Sequence, residues 1–292
     1  KWRMIALLAL IVVLAVNSLT LSGAAEGLKF YLVPDFARMK EIGVGATIVG
    51  AMNQSFFTLS LGIGAMAIFG SYIDKKRALL GEAVNVAVLD TFVAITSGLI
   101  IFPACFTFGV EADSGPNLIF VTLPNVFNHM AFGQLWGSLF FLFLFFASMS
   151  TILAVFENIM SCCMDLTGAS RKKVALINVF VMIGLSLPCV LGYNLWSSFQ
   201  PFGDNSTIMD LEDFLVSNIW LPIGSLIYLL FCTSRYGWGW KNFTQEANTG
   251  KGLKVGNWMR WYVTWLLPIV IIAIFLIGIN DKFHITAALF GN

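Results

Sequence analysis

Three groups of polar residues lie inside segments that are otherwise apolar and long enough to cross a bilayer, and all three carry oxygen donors. Asp90 stands near the middle of NVAVLDTFVAITSG. There a carboxylate costs at least about 2.5 kcal/mol unless it is paired, hydrated or ligated. It either makes a structural hydrogen bond in its protonated form or serves as an ion ligand or proton carrier. No Lys or Arg lies at mid-depth of any apolar run to pair with it, which favours a mobile cation as the counter-charge. In FFASMSTILAVFEN, Ala147, Ser150 and Thr151 occupy i, i+3 and i+4 and so stack on one helical face. Two hydroxyls beside a backbone carbonyl suit a hard alkali cation. The same residues also bond their own i−4 carbonyls or pack tightly against a neighbouring helix. The third group is GAMNQSFFTLSLGIGAM, where Asn53, Gln54, Ser55, Thr58 and Ser60 are followed by Gly62 and Gly64. A polar, glycine-rich interruption at that depth reads as a broken helix whose freed carbonyls and amides hold ion and substrate. A close helix contact through the glycines is the other reading. Unsatisfied backbone at mid-membrane is tolerated only where it lines a cavity or is buried in protein.

The elements that must position these groups follow from composition. The 292 residues are 58% hydrophobic, include 27 Phe and are only 11% charged, whereas a soluble domain needs roughly twice that charged fraction. The chain therefore reads as an integral membrane protein. Seven apolar runs are long enough to span about 30 Å of hydrocarbon, roughly 4–21, 44–69, 79–102, 135–161, 174–191, 214–233 and 261–279. The basic residues alternate sides: 13 of 17 lie in loops on one face, namely Lys1, Arg3, Lys75, Lys76, Arg77, Arg171, Lys172, Lys173, Arg235, Lys241, Lys251, Lys254 and Arg260. Lys29, Arg38, Lys40 and Lys282 lie on the other, and the loop from Pro103 to Gln134 has none. The positive-inside rule then puts the N-terminus of the chain in the cytoplasm and the C-terminus outside. Trp220, Trp238, Trp240, Trp258, Trp261 and Trp265 stand near span ends, as interfacial anchors do. An odd number of spans, a first residue Lys1 and no signal-peptide pattern point to helices missing upstream.

The same composition weighs against several function classes. The net charge of +1, with its basic residues in short loops, gives no footprint for nucleic acid. The five cysteines have no CxxC spacing and no clustered histidines for zinc or redox work. The spans hold no His and no paired carboxylates, which argues against a membrane enzyme. A retinal protein needs a Lys in the last span, and a seven-helix receptor needs the opposite orientation. An ion channel is the alternative that composition leaves standing.

At the polar segments the sequence resembles the neurotransmitter:sodium symporter family, in its bacterial amino-acid branch. NQSFFTLSLGIGAMAIFGSYI looks like that family's broken sixth helix, with AAEGLKFYLVPDF before it and DTFVAITSGLIIFPACFTFG and GPNLIFVTLP after it. ASMSTILAVFEN resembles the eighth helix and MDLEDF the lead into the tenth. The resemblance implies an all-α membrane fold in which the seven spans are helices five to eleven of a five-plus-five inverted repeat, with the first four helices absent. It implies a single transporter domain over 1–292, in a bacterial inner membrane, that carries an amino acid with sodium by alternating access. By the same resemblance one sodium site takes Thr58 and Asp90, and a second takes the Ala147 carbonyl with the Ser150 and Thr151 hydroxyls. Both are incomplete here, because the first helix supplies the facing ligands. Phe57, Thr58, Ser60, Ile63, Thr151 and Val155 match substrate-pocket positions. Phe57 also serves as an outer lid, and Asp213 pairs with an arginine of the first helix in the outer gate. Asp90 departs from an Asn found in many members. Ile63 stands where related bacterial proteins often have Phe. Gln54 is retained at the chloride site while Ala94 replaces its Ser or Glu, so chloride dependence stays open. The apolar lining Phe57, Ile63 and Val155 favours a neutral or hydrophobic amino acid.

Overall fold

A computed structural model describes residues 2–109, 118–203 and 206–283, and most of these residues are helical. In chain order the helices are α1 (Trp2–Leu19), α2 (Ala24–Leu32), α3 (Phe36–Ile42), α4 (Val44–Thr58), α5 (Ala65–Ser71) and α6 (Leu79–Phe108). They continue as α7 (Leu123–His129), α8 (Gly133–Thr167), α9 (Arg171–Gly192), α10 (Ile208–Thr233), α11 (Trp240–Ala247) and α12 (Met259–Asn280). Among the described residues, α6, α8, α9, α10 and α12 are each long and apolar enough to cross a membrane. They correspond to five of the seven runs read from the sequence. A sixth is obtained if the bent pair formed by Leu8–Leu19 and Ala24–Leu32, at 116°, counts as one span. The remaining run, 44–69, is divided between α4 and α5, and neither piece is long enough to cross alone.

Element ends follow local chemistry. Pro103 does not stop α6, which continues to Phe108. The Thr107 hydroxyl donates to the Pro103 carbonyl at 2.7 Å. Gly168, with φ +65°, ends α8 by sending its N–H back to the Met164 carbonyl at 2.8 Å. α10 opens on a capping box. The Thr207 hydroxyl accepts the Asp210 N–H at 3.3 Å, and the Asp210 carboxylate accepts the Thr207 N–H at 2.7 Å. In α10 and α12 a turn widens to π geometry, at Leu215–Trp220 and Tyr262–Leu266.

The chain divides into two compact units. One comprises Lys1–Arg38 with Ala87–Leu153, the other Met39–Val86 with Ala154–Asn292. In the first unit the core is Ile11, Leu14, Ala15, Ile100, Leu123, Phe127, Phe140 and Phe143. The turn between α1 and α2 packs directly on α6. A Cβ on Gly23 would come within 2.6 Å of the Thr107 amide nitrogen, and one on Gly27 within 2.7 Å of the Phe102 carbonyl. Ser18 Oγ donates to the Ile100 carbonyl at 2.6 Å, and the Tyr31 and Phe102 rings stack at 4.8 Å. Residues read as connecting loops are helical here. α2 and α3 occupy the segment that holds Lys29, Arg38 and Lys40. α7 lies within the stretch from Pro103 to Gln134, with Leu123 and Val126 fully buried; residues 110–117 lie outside the described residues.

In the second unit Val49 and Phe56 of α4 pack with Leu221 of α10 and with Ile271 and Ile274 of α12. Trp220, Trp238, Trp258, Trp261 and Trp265 are exposed, in keeping with interfacial anchoring. Trp240 is not: it is buried, its ring centroid 5.6 Å from that of Phe243.

Candidate functional site

The second unit contains the break. α4 ends at Thr58 and α5 starts at Ala65, and the residues between them cannot continue a helix because Ser60, Gly62 and Gly64 have φ of +51°, +84° and +82°. Hydrogen bonding changes register on entry, with Ser60 N–H donating to the Phe57 carbonyl at 3.1 Å and Leu61 N–H to the Phe56 carbonyl at 2.9 Å. It resumes with Ile68 N–H on the Gly64 carbonyl at 3.1 Å. The unwound segment is seated against α10 backbone to backbone. A Cβ on Gly62 would stand 2.8 Å from the Ser225 amide nitrogen, and one on Gly224 would overlap the Gly62 carbonyl. One turn before the break, Asn53 Nδ2 donates to Asn218 Oδ1 at 2.7 Å. Gly278 of α12 leaves the room Asn218 needs, since a Cβ there would come within 2.9 Å of that oxygen.

Both readings of the glycines therefore hold at once: the helix is broken, and the glycines permit a close helix contact. Of the candidate residues, Phe57, Thr58, Ser60, Ile63, Val155 and Asp213 belong to this unit. Phe57 and Ile63 are 54% and 42% exposed. Asp213 accepts a hydrogen bond from Ser217 Oγ at 3.0 Å within α10. Asp90, Ala147, Ser150 and Thr151 belong to the other unit. Asp90 is half-buried on α6. Thr151 Oγ1 donates to the Ala147 carbonyl at 3.3 Å, the i−4 bond open to any helical threonine. That bond uses the hydroxyl's proton and leaves its oxygen an acceptor, so two oxygens lie side by side on one face. Ser150 is in α8, but its side chain lies outside the described residues.

A polar cluster not singled out in the sequence joins the end of α5 to α8 and α9. Tyr72 Oη donates to Glu157 Oε1 at 3.0 Å and lies 3.1 Å from Ser161 Oγ. Arg171 donates to the same carboxylate, through Nη1 to Oε1 at 3.0 Å and through Nη2 to Oε2. Arg171 reads as a loop cation, and Glu157 lies inside the apolar run 135–161. Fourteen positions separate them, a distance that periodicity does not connect. Charge-assisted forks of this kind fix geometry more than they add stability when solvent reaches them. Glu157→Gln should therefore leave the protein folded while amide exchange over Ala65–Ser71 rises several-fold. Unchanged exchange there would show that α5 is held without the carboxylate.

Comparison with known proteins decides the family. Residues 4–288 match the sodium:neurotransmitter symporter family. The chain belongs to that family. This chain is 32% identical over 272 residues to the uncharacterized sodium-dependent transporter YhdH of Bacillus subtilis, covering 92% of this chain and 58% of that protein. It is 30% identical over 280 residues to an uncharacterized sodium-dependent transporter of Haemophilus influenzae, with 94% and 59% covered. Among solved structures, the crystal structure of MhsT in complex with L-phenylalanine superposes with a TM-score of 0.82 at 35% identity, covering 94% of this chain and 61% of MhsT. The chain thus spans less than two thirds of the length of these relatives. Its family is one of multi-pass membrane transporters, not of enzymes.

Proposed function

We propose that this chain is part of a sodium-coupled symporter that carries a neutral or hydrophobic amino acid into the cell by alternating access. The observation that carries this reading is the break between Thr58 and Ala65, in a chain of the sodium:neurotransmitter symporter family. An unwound segment frees backbone groups at the depth where an amino acid's charged ends need partners. The apolar side chains Phe57, Ile63 and Val155 favour a hydrophobic substrate side chain, and the L-phenylalanine bound by MhsT supports that class. Thr151, Thr58 and Ser60 add hydroxyls to the pocket, with Phe57 as lid and Asp213 in the outer gate.

Sodium is the driving co-substrate. One ion is held by Thr58 and Asp90, the other by the Ala147 carbonyl with the Ser150 and Thr151 hydroxyls, and helices one to four complete both sites. Release of the second ion inward frees α8 to move. Each charge carried across about 100 mV is worth about 2.3 kcal/mol, so two ions drive substantial accumulation. The site of function is the bacterial inner membrane, with the N-terminus of this chain cytoplasmic and the C-terminus outside. Chloride is not assigned a role, since Ala94 offers it no side-chain donor. An uncoupled ion channel is the competing class.

Binding of the twenty amino acids to the complete protein, with sodium and with sodium replaced by potassium, tests the reading. Saturable, sodium-dependent binding of large neutral amino acids is expected. Sodium conductance without saturable amino-acid uptake would establish the channel instead.

A further inference from the structure

We infer that Asn158 is a positioning residue for the substrate pocket, acting through the unwound segment and not by touching substrate. The inference rests on the proposal that Ser60 and Ile63 line that pocket. Asn158 Nδ2, on α8, donates to the Ile63 carbonyl at 3.1 Å, a link between positions 95 apart in sequence. The direction of the amide is fixed by that partner, because an amide oxygen turned toward a carbonyl oxygen would repel it. Asn158 Oδ1 is then buried and without a hydrogen-bond partner among the described residues. It lies on the Gly64 side of the segment, 3.8 Å from where a Gly64 Cβ would stand.

The peptide that Asn158 grips is flanked by Gly62 and Gly64, both at positive φ. Two glycines around one side chain leave the Ile63 peptide freer to rotate than a link between residues that both carry side chains. α10 constrains the segment from another side: Gly62 lies on the Ser225 backbone, and Tyr228 Oη would come within 2.7 Å of a Gly64 Cβ. That contact limits where the glycines sit but does not set the tilt of the Ile63 peptide, which the Asn158 hydrogen bond does. Because the peptide tilt orients the Ile63 side chain, Asn158 sets the shape of one pocket wall. Its own side chain is spent on backbone.

The test uses the complete protein carrying Asn158→Leu, which is close in shape but has no donor. Hydrogen exchange over 59–64 should rise selectively, by roughly three- to tenfold, as one hydrogen bond is lost. KM for the preferred amino acid should rise by roughly the same factor, with kcat within about twofold of wild type. If Asn158→Leu does not fold, Asn158→Ala carries the same readouts. A rise in exchange spread evenly over all helices, or none over 59–64, overturns the inference, as does a fall in kcat with KM unchanged. Absence of sodium-dependent amino-acid binding by the wild type would instead refute the transport reading. The exchange measurement would still decide whether Asn158 holds the segment.

Discussion

Asp90→Ala in the complete protein is expected to abolish sodium-dependent uptake at ordinary sodium concentrations and to weaken apparent sodium affinity by at least about a hundredfold. The carboxylate sits half-buried on α6, in a span of mean hydropathy 2.0, where charge is poorly screened. Removing one partner from a buried ionic interaction costs about 3–5 kcal/mol, or roughly two to four decades in a binding constant. Asp90→Asn separates the two readings of this residue. If Asp90 ligates sodium, the amide keeps one oxygen but loses the charge, and the sodium dependence shifts to higher concentration. If Asp90 only makes a structural hydrogen bond as a protonated acid, Asn replaces it with no change in the sodium midpoint. Sodium titration of radiolabelled uptake in proteoliposomes distinguishes these cases. Undiminished uptake by Asp90→Ala would remove the residue from the ion site.

The second large effect concerns the backbone. Gly62→Ala is expected to destabilise the folded protein by about 3 kcal/mol or more. An L-residue at a left-handed φ costs roughly 1–2 kcal/mol, and Gly62 has φ +84°. The added methyl would also stand 2.8 Å from the Ser225 amide nitrogen and 2.9 Å from its hydroxyl. Overpacking of this sort costs about 1–3 kcal/mol when the neighbour is backbone that cannot rotate away. Gly50→Ala is the matched control: it lies in α4 with nothing within 4 Å of the new Cβ, and helix propensity there favours Ala by up to about 1 kcal/mol. Thermal unfolding in detergent should show Gly62→Ala well below wild type and Gly50→Ala at or above it. A Gly62→Ala protein as stable as wild type would mean that the segment does not sit on α10 as described.

Much of this was legible in the sequence, for reasons that differ by residue. Asp90 stood out because lipid is a nearly uniform apolar solvent, so one charged group inside a span is costly wherever the helix packs. The break was legible because Ser60, Gly62 and Gly64 cluster where a spanning helix needs uninterrupted hydrogen bonds. The turn between α1 and α2 was not foreseen, because Gly23 and Gly27 have meaning only against the α6 backbone they meet. α7 read as loop because a seven-residue helix is too short to declare itself by periodicity.

Residue by residue, the sequence sets the solvent each segment suits: which stretches are apolar enough for hydrocarbon and where that pattern is interrupted. These are local quantities, set by side-chain transfer free energies summed over about twenty residues. The tertiary structure alone decided which partners the interrupting groups meet. Asn158 reaches Ile63, Asn53 reaches Asn218, and Glu157 joins Tyr72 to Arg171. Within a bilayer, apolar side chains are equally content against lipid or protein, so hydrophobicity does not select helix neighbours. Small residues that allow close approach, and polar groups that must find a partner, make that selection, and their pairing exists only once the helices are packed.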